Sequence, residues 1–260
     1  MTASCGSLLE VRGLSVEFAG RGAVHDVSFE IAPGEVLGLV GESGSGKSTL
    51  ARALLRLVPV ARGTLRWRGE DLLNCEGAAL RRRRRDMQMI FQDPLASHDP
   101  RMTVGETLAE PLEIFEPKLE ARARQTRVAE MLERVGLTPA MAARYPHEFS
   151  GGQCQRIGIA RAMMPRPQLL VCDEPVSSLD VSIQGQIVNL LSDLRRHSNT
   201  AMLFISHNLA VVRHLSDRVM VMYDGRIVET AAREALFATP MHPYTRALLA
   251  AVPDPAAALH

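Results

Sequence analysis

The sequence has no Cys-x-x-Cys pair: its four cysteines, at positions 5, 75, 154 and 172, are scattered. That pattern argues against a disulfide framework or a cysteine zinc site and favours reduced thiols in a cytosolic setting. No stretch approaches eighteen uninterrupted apolar residues, so none is expected to span a bilayer, and any membrane-embedded part of the machinery must come from other chains. Met1 to Glu10 carries neither a basic n-region nor an apolar h-region, so no signal peptide is expected. Charge of one sign is also lacking. The formal net charge of the 260 residues is +1, which gives no global electrostatic case for nucleic acid. Repeats and low-complexity tracts are absent. What remains is globular: 46% hydrophobic and 23% charged residues, enough for a sizeable α/β core.

The strongest local text is Gly41-Glu42-Ser43-Gly44-Ser45-Gly46-Lys47-Ser48-Thr49. It follows an apolar run, Val36 to Val40, with the composition of a buried strand, and it opens a helical stretch, Leu50 to Leu57. Strand, glycine-rich turn and helix N-terminus form the context of a phosphate-binding loop. Gly41, Gly44 and Gly46 let the backbone curl so that successive N–H groups face one anion, and the helix adds its positive dipole end. Lys47 would reach the β- and γ-phosphates, and the Ser48 hydroxyl would sit on Mg²⁺. These residues predict a nucleotide-binding protein.

Before the loop, alternating apolar positions (Leu9, Val11, Leu14, Val16, Phe18, Val24, Val27, Phe29, Ile31) predict short antiparallel strands. A ring at Phe18 could stack on a base, but the alternation by itself favours a core position. Gly63 to Trp67 reads as a further edge strand, and the five consecutive arginines, Arg81 to Arg85, as a solvated helix end rather than a nucleic-acid patch. The apolar strand Met87 to Phe91 leads into Gln92. From Pro94 to Pro146, prolines bracket helical stretches, and Val128, Met131, Leu132 and Val135 make one apolar face. This is a helical insert in an α/β core.

Ser150-Gly151-Gly152-Gln153 precedes another helix, with Ser150 as N-cap and the glycines exposing first-turn N–H groups, a second candidate anion site. The apolar run Leu169 to Cys172 delivers Asp173 and Glu174 at the carboxyl end of a strand, where ligands gather in parallel sheets. Asp173 can hold Mg²⁺ through a water, and Glu174 can orient or deprotonate an attacking water. Ser177 to Asp180 makes a turn and helix start, and Ile187, Leu190, Leu191 and Leu194 give that helix a buried face. The strand Ala201 to Ile205 ends at His207, either a hydrogen-bonded structural residue or a γ-phosphate contact. Asp224-Gly225 predicts a hairpin between two final strands.

In this order and spacing, the loop 41–49, Gln92, Ser150 to Gln153, the acid pair, Asp180 and His207 together resemble the ATP-binding cassette (ABC) ATPases over essentially the whole chain. The resemblance implies a single nucleotide-binding domain over 1–260. Its expected parts are a RecA-like P-loop core, an antiparallel β-subdomain, a helical subdomain at about 94–165 and a short tail at about 240–260. It implies that Gln92 senses Mg²⁺ and the membrane subunit, that His207 is the switch histidine, that Asp180 belongs to the D-loop, and that Phe18 stacks on adenine. ATP and Mg²⁺ are the implied cofactors, with Ser48, Gln92 and Asp173 around the metal. In the implied head-to-tail sandwich, Ser150, Gly151, Gly152 and Gln153 meet the ATP of a second cassette.

The stretches Met87 to Ser97, Arg144 to Arg156 and His242 to Leu249 narrow the resemblance to oligopeptide and dipeptide importer ATPases. Implied partners are a second ABC ATPase subunit (a paralogue, or a second copy of this chain), two integral-membrane permease subunits and, indirectly, an extracytoplasmic solute-binding protein. No nucleic acid is expected. The implied location is peripheral, on the cytoplasmic face of the cell membrane. Nickel, glutathione and other small solutes use near relatives, so the cargo is implied only as far as peptides lead. Departures from the pattern are Phe149 for a leucine, Asn208 after the histidine where aspartate is usual, and His98-Asp99 for Leu-Asn on the segment expected to face the permease. The chain ends at His260 without a cysteine-rich extension, so no iron–sulfur cluster is expected. A non-transport cassette ATPase is the rival reading. Against it, the stretch from Lys47 to Ser150 is short and carries no sustained heptads, and there is one cassette rather than two.

Overall fold

The computed structural model describes residues 6–18, 21–93 and 98–251. Contacts divide the chain into two compact units, Met1–Asn74 with Leu203–His260, and Cys75–Met202.

The first unit begins with β1 (Leu9–Phe18) and β2 (Arg21–Ile31), followed by β3 (Val36–Val40), α1 (Lys47–Leu54), β4 (Arg62–Trp67) and the two-residue β5 (Glu70–Asp71). Strands β2-β1-β4-β5 form an antiparallel sheet, as the alternation predicts. Two details differ. β4 is not an edge strand, because β5 pairs with it through Arg66↔Asp71 and Trp67↔Glu70. Phe18 is not in the core but 45% exposed. It is the last residue of β1; the register shift between Val16 and Glu17 passes over Ala23 of β2, so the alternation of β1 is unbroken there and Phe18 is exposed at the strand end.

β3 is buried at every position, as a strand covered on both faces must be. Its four large side chains each contribute about 1.5–3 kcal/mol through burial.

The second unit holds α2 (Gly77–Asp86), β6 (Met87–Ile90), α3 (Val104–Phe115), α4 (Ala121–Arg134), α5 (Gly151–Met163), β7 (Leu169–Asp173) and α6 (Val181–Ser198). β6 and β7 pair in parallel, from Met87↔Leu169 to Ile90↔Cys172. The arginine run lies on α2 and is solvated only in part: Arg81 and Arg82 are exposed, while Arg83 to Arg85 are half-buried and Arg85 pairs with Glu116 at 3.3 Å. Helix α3 starts in a capping box: Thr103 Oγ1 accepts from Glu106 N, and Glu106 accepts from Thr103 N at 2.7 Å. Pro111 lies inside α3 rather than at its end. Ion pairs of 2.6 Å join Arg127 of α4 to Glu116 and Arg161 of α5 to Glu110. Val128, Met131, Leu132 and Val135 are buried as the helical period predicts. In α6 the buried face is Ile187, Val188, Leu191 and Leu194; Leu190 is only half-buried, rotated towards the helix flank.

The chain returns to the first unit within β8 (Ala201–Ile205), which lies beside β3. Then come α7 (Leu209–Leu215), β9 (Arg218–Tyr223), β10 (Arg226–Ala232), α8 (Arg233–Ala238) and α9 (Pro243–Ala250). β9 runs parallel to β3, and β10 antiparallel to β9. The β9–β10 turn has Asp224 and Gly225 both at positive φ, 45° and 74°, the signature of the expected hairpin. No described helix is long and apolar enough to cross a membrane.

Candidate functional site

In the first unit the site is built on adjacent strand ends. β3 terminates at Val40 and the loop follows at once; β8 terminates at Ile205, with Ser206 N donating to Leu39 O at 3.2 Å and His207 exposed just beyond. The loop is held by close backbone approach. A methyl group at Gly41 would lie 2.1 Å from Met222 O, and one at Gly46 would lie 2.4 Å from Ala23 O, so only glycine fits either position. Gly225 N donates to Ser45 O, and His25 N to Gly225 O, tying the loop to the hairpin. Leu50 N donates to Gly46 O, the first bond of α1.

Lys47 is buried. Its ammonium donates to Gly41 O at 2.8 Å, Glu42 O at 2.6 Å and Ser45 Oγ at 3.3 Å. An ammonium anchored by the loop's own carbonyls is a fixed positive charge at a helix N-terminus, a setting suited to polyphosphate. Glu42, Ser43 and Gly44 are exposed, and Ser48 and Thr49 open α1 half-buried.

In the second unit the parallel β6–β7 pair brings Gln92 and Glu174 together: Gln92 Nε2 donates to Glu174 Oε2 at 3.2 Å. Asp173, the last residue of β7, is 2% exposed. Glu174 adopts φ 48°, unusual for a residue with a side chain, and its carbonyl accepts from Ser177 N and Oγ. Such backbone strain is held by its surroundings and clusters at functional sites. Within this unit Gln92 and Asp173 offer oxygen donors, the hard ligand type that Mg²⁺ takes.

α5 begins as expected. Ser150 Oγ accepts from Gln153 N at 3.3 Å, and Gln153 Oε1 accepts from Ser150 N at 3.0 Å. The Gln153 side chain therefore closes a capping box on its own helix. Ser150 and Gly151 are exposed. Asp180 caps α6 through its backbone carbonyl, which accepts from Ile183 and Gln184, and its side chain makes no capping bond.

Two departures acquire a physical account. Asn208 Oδ1 accepts from Ala210 N and Val211 N, capping α7 as an aspartate would. His98 does not face outward: it is 6% exposed, with Nε2 at 3.5 Å from Cys154 O and no partner for Nδ1 among the described residues. Burial lowers its pKa, so a neutral imidazole fills what would otherwise be an apolar position. Positions 94–97, within the segment expected to grip a permease, lie outside the described residues, as do Cys5 and the tail from 252 to 260.

Sequence reasoning missed Tyr244. Its hydroxyl oxygen accepts from Glu42 N at 3.1 Å, and its ring meets Tyr223 at 4.3 Å between centroids. The available signal was His242-Pro243, a side-chain N-cap followed by proline at the first helical position, which marks the start of α9.

A family model described as ABC transporter matches residues 24–177, and one described as oligopeptide/dipeptide transporter, C-terminal region, matches residues 228–260. The oligopeptide transport ATP-binding protein OppF of Salmonella typhimurium is 55% identical over 233 residues, covering 90% of this chain and 70% of that protein. OppF of Haemophilus influenzae is 51% identical over 261 residues (95% and 79%). A putative peptide import ATP-binding protein of Brucella ovis is 54% identical over 252 residues (95% and 79%). Among solved structures, cbiO1 of Clostridium perfringens, described as part of the ABC transporter complex cbiONQ, superposes with a TM-score of 0.81 at 24% identity, covering 90% of this chain and 91% of that one. The dimeric ATP-binding cassette MJ0796, in a post-hydrolysis state bound to ADP and Pi, gives 0.78 at 25% identity (86% and 98%).

Proposed function

The chain belongs to the ABC transporter family, and from that premise we propose that it is the ATP-hydrolysing subunit of an importer, energising passage of oligopeptides or dipeptides through separate permease subunits. The observation that carries the peptide assignment is the pairing of a cassette match over 24–177 with an oligopeptide/dipeptide C-terminal match over 228–260, alongside 51–55% identity to OppF proteins.

In the proposed mechanism, the N–H groups of 41–49 and the Lys47 ammonium bind the β- and γ-phosphates, and Phe18, exposed at the end of β1, stacks on adenine. Ser48, Gln92 and Asp173 would hold Mg²⁺, which supplies charge neutralisation on the phosphates when bound. Glu174, oriented by Gln92, accepts a proton from the attacking water, and His207 contacts the γ-phosphate. One loop covers one side of a triphosphate. A second cassette, a paralogue or another copy of this chain, presents its own Ser-Gly-Gly turn to the other side, while Ser150, Gly151 and Gly152 here serve the partner's ATP. Asp180 lies beside that junction. Closure and reopening bias a two-state element that the permease reads. The subunit works peripherally on the cytoplasmic face of the membrane.

Affinity purification of the tagged protein from gently solubilised native membranes, followed by mass spectrometry, tests this. The expected yield is two polytopic permease chains and a second ATPase. Recovery of soluble partners alone would overturn the transport role while leaving the ATPase intact.

A further inference from the structure

The peptide unit joining Gly41 to Glu42 is held at both ends. Its carbonyl accepts from Lys47 Nζ at 2.8 Å, and its N–H donates to Tyr244 Oη at 3.1 Å. The lysine lies six residues along the chain, the tyrosine 202. Rotation of this plane would break both bonds, and with them the Gly41 anchor of the ammonium.

Tyr244 is itself fixed. Glu229 of β10 accepts from Met241 N at 2.8 Å and His242 N at 2.9 Å, clasping the start of α9. His242 Nδ1 then accepts from Tyr244 N at 3.2 Å. On the other side stands Tyr223, the last residue of β9, with its ring tilted 40° to that of Tyr244. β9 runs parallel to β3 with Val221 opposite Val40, so Tyr223 lies beside the chain as it enters the loop. Burial raises the Tyr244 pKa above its ordinary value, so the phenol is neutral at physiological pH.

We propose that Tyr244 is a positioning residue for nucleotide binding, orienting the Gly41–Glu42 peptide and through it the Lys47 ammonium, with Glu229 as the clasp that aims it. This rests on the reading of 41–49 as the ATP loop. The C-terminal segment is then a strut for the phosphate loop.

The test uses the assembled complex and the variants Tyr244→Phe, Glu229→Ala, the pair together, and Lys47→Ala. Tyr244→Phe keeps the ring and its packing against Tyr223 and removes only the acceptor. KM for ATP should rise about 3- to 10-fold, the loss of one hydrogen bond, with kcat within about twofold because Glu174 is untouched. The nucleotide-free melting temperature should not change. Glu229→Ala should raise KM in the same direction, and the double variant should be no worse than the more affected single one, since the two residues act in series. An unchanged KM in Tyr244→Phe, or additive effects in the pair, would overturn the proposal, as would a melting temperature that falls without nucleotide while KM holds. Lys47→Ala separates the two readings: if it still binds ATP like the parent, the loop assignment fails; if it loses ATP while Tyr244→Phe behaves as the parent, only the role of Tyr244 fails.

Discussion

Replacing Gly151 with alanine removes nothing that holds the chain together, yet it should lower ATP turnover about 100-fold. A methyl group at Gly151 would have Leu179 Cδ2 as its nearest neighbour at 3.7 Å, an ordinary van der Waals contact, and no positive φ requires glycine there. The residue is exposed at the first position of α5. An uncrowded surface substitution changes stability by no more than about 0.5 kcal/mol, about 2 °C for a chain of this size. Gly152 is the internal control. Its methyl group would lie 2.8 Å from Ile183 Cγ2, so the Ile183 side chain must shift. Overpacking costs about 1–3 kcal/mol, offset by up to about 1 kcal/mol from removing a helical glycine. Folding thus gives Gly152 a reason and Gly151 none; in the proposed sandwich Gly151 is where the ATP of the second cassette approaches. Loss of one such preorganised contact lowers turnover about 100-fold. The assay is phosphate release at saturating ATP by the complex assembled with Gly151→Ala, beside its melting curve. A stable variant with more than half of parental turnover would refute the reasoning, and so would a variant that does not fold.

Further outcomes follow from the buried histidine, the α7 cap and the acid pair. His98 has its pKa lowered by burial, so the unfolded chain takes up a proton that the folded one refuses; stability is fully present above about pH 6.5 and is lost as pH falls below it. His98→Leu should flatten that acid loss in denaturant titrations at pH 5 and pH 8, and an unchanged pH dependence would contradict it. Asn208→Ala removes the acceptor for two N–H groups of α7 and should cost about 1 kcal/mol in urea titration, whereas Asn208→Asp should cost nothing; equal losses would refute the cap. Asp173→Asn should raise the Mg²⁺ concentration for half-maximal turnover by about tenfold or more; an unchanged Mg²⁺ titration would remove Asp173 from the metal.

Much of this was legible in the sequence because short-range chemistry decides it. Gly41 to Thr49 after five apolar residues, Asp173 after four, Ser150 three before Gln153 and Asp224 before Gly225 each encode their conformation locally, and the structure forms each as read. Phe18 escaped because it stands at the last position of its strand, where alternation no longer implies cover by the core. Leu190 and Val188 exchanged places for a similar reason: both satisfy a helical period, and packing chose between them. The burial of His98, on a segment expected to face the permease, could not be foreseen, because a histidine gives no sign of its own burial. The positive φ of Glu174 and the Glu42–Tyr244 bond arise from tertiary contact, and no pattern within a few residues foretells them.

The central claim is that this chain hydrolyses ATP with Glu174 as the base, and Glu174→Gln tests it most directly. The glutamine has nearly the same shape, and its carbonyl oxygen can still accept from Gln92, as Glu174 Oε2 does at 3.2 Å, so the site should stay assembled. In the complex with its partner ATPase, ATP binding should match the parent, while single-turnover hydrolysis should slow at least ~100-fold. Hydrolysis at close to the parental rate would contradict the assignment.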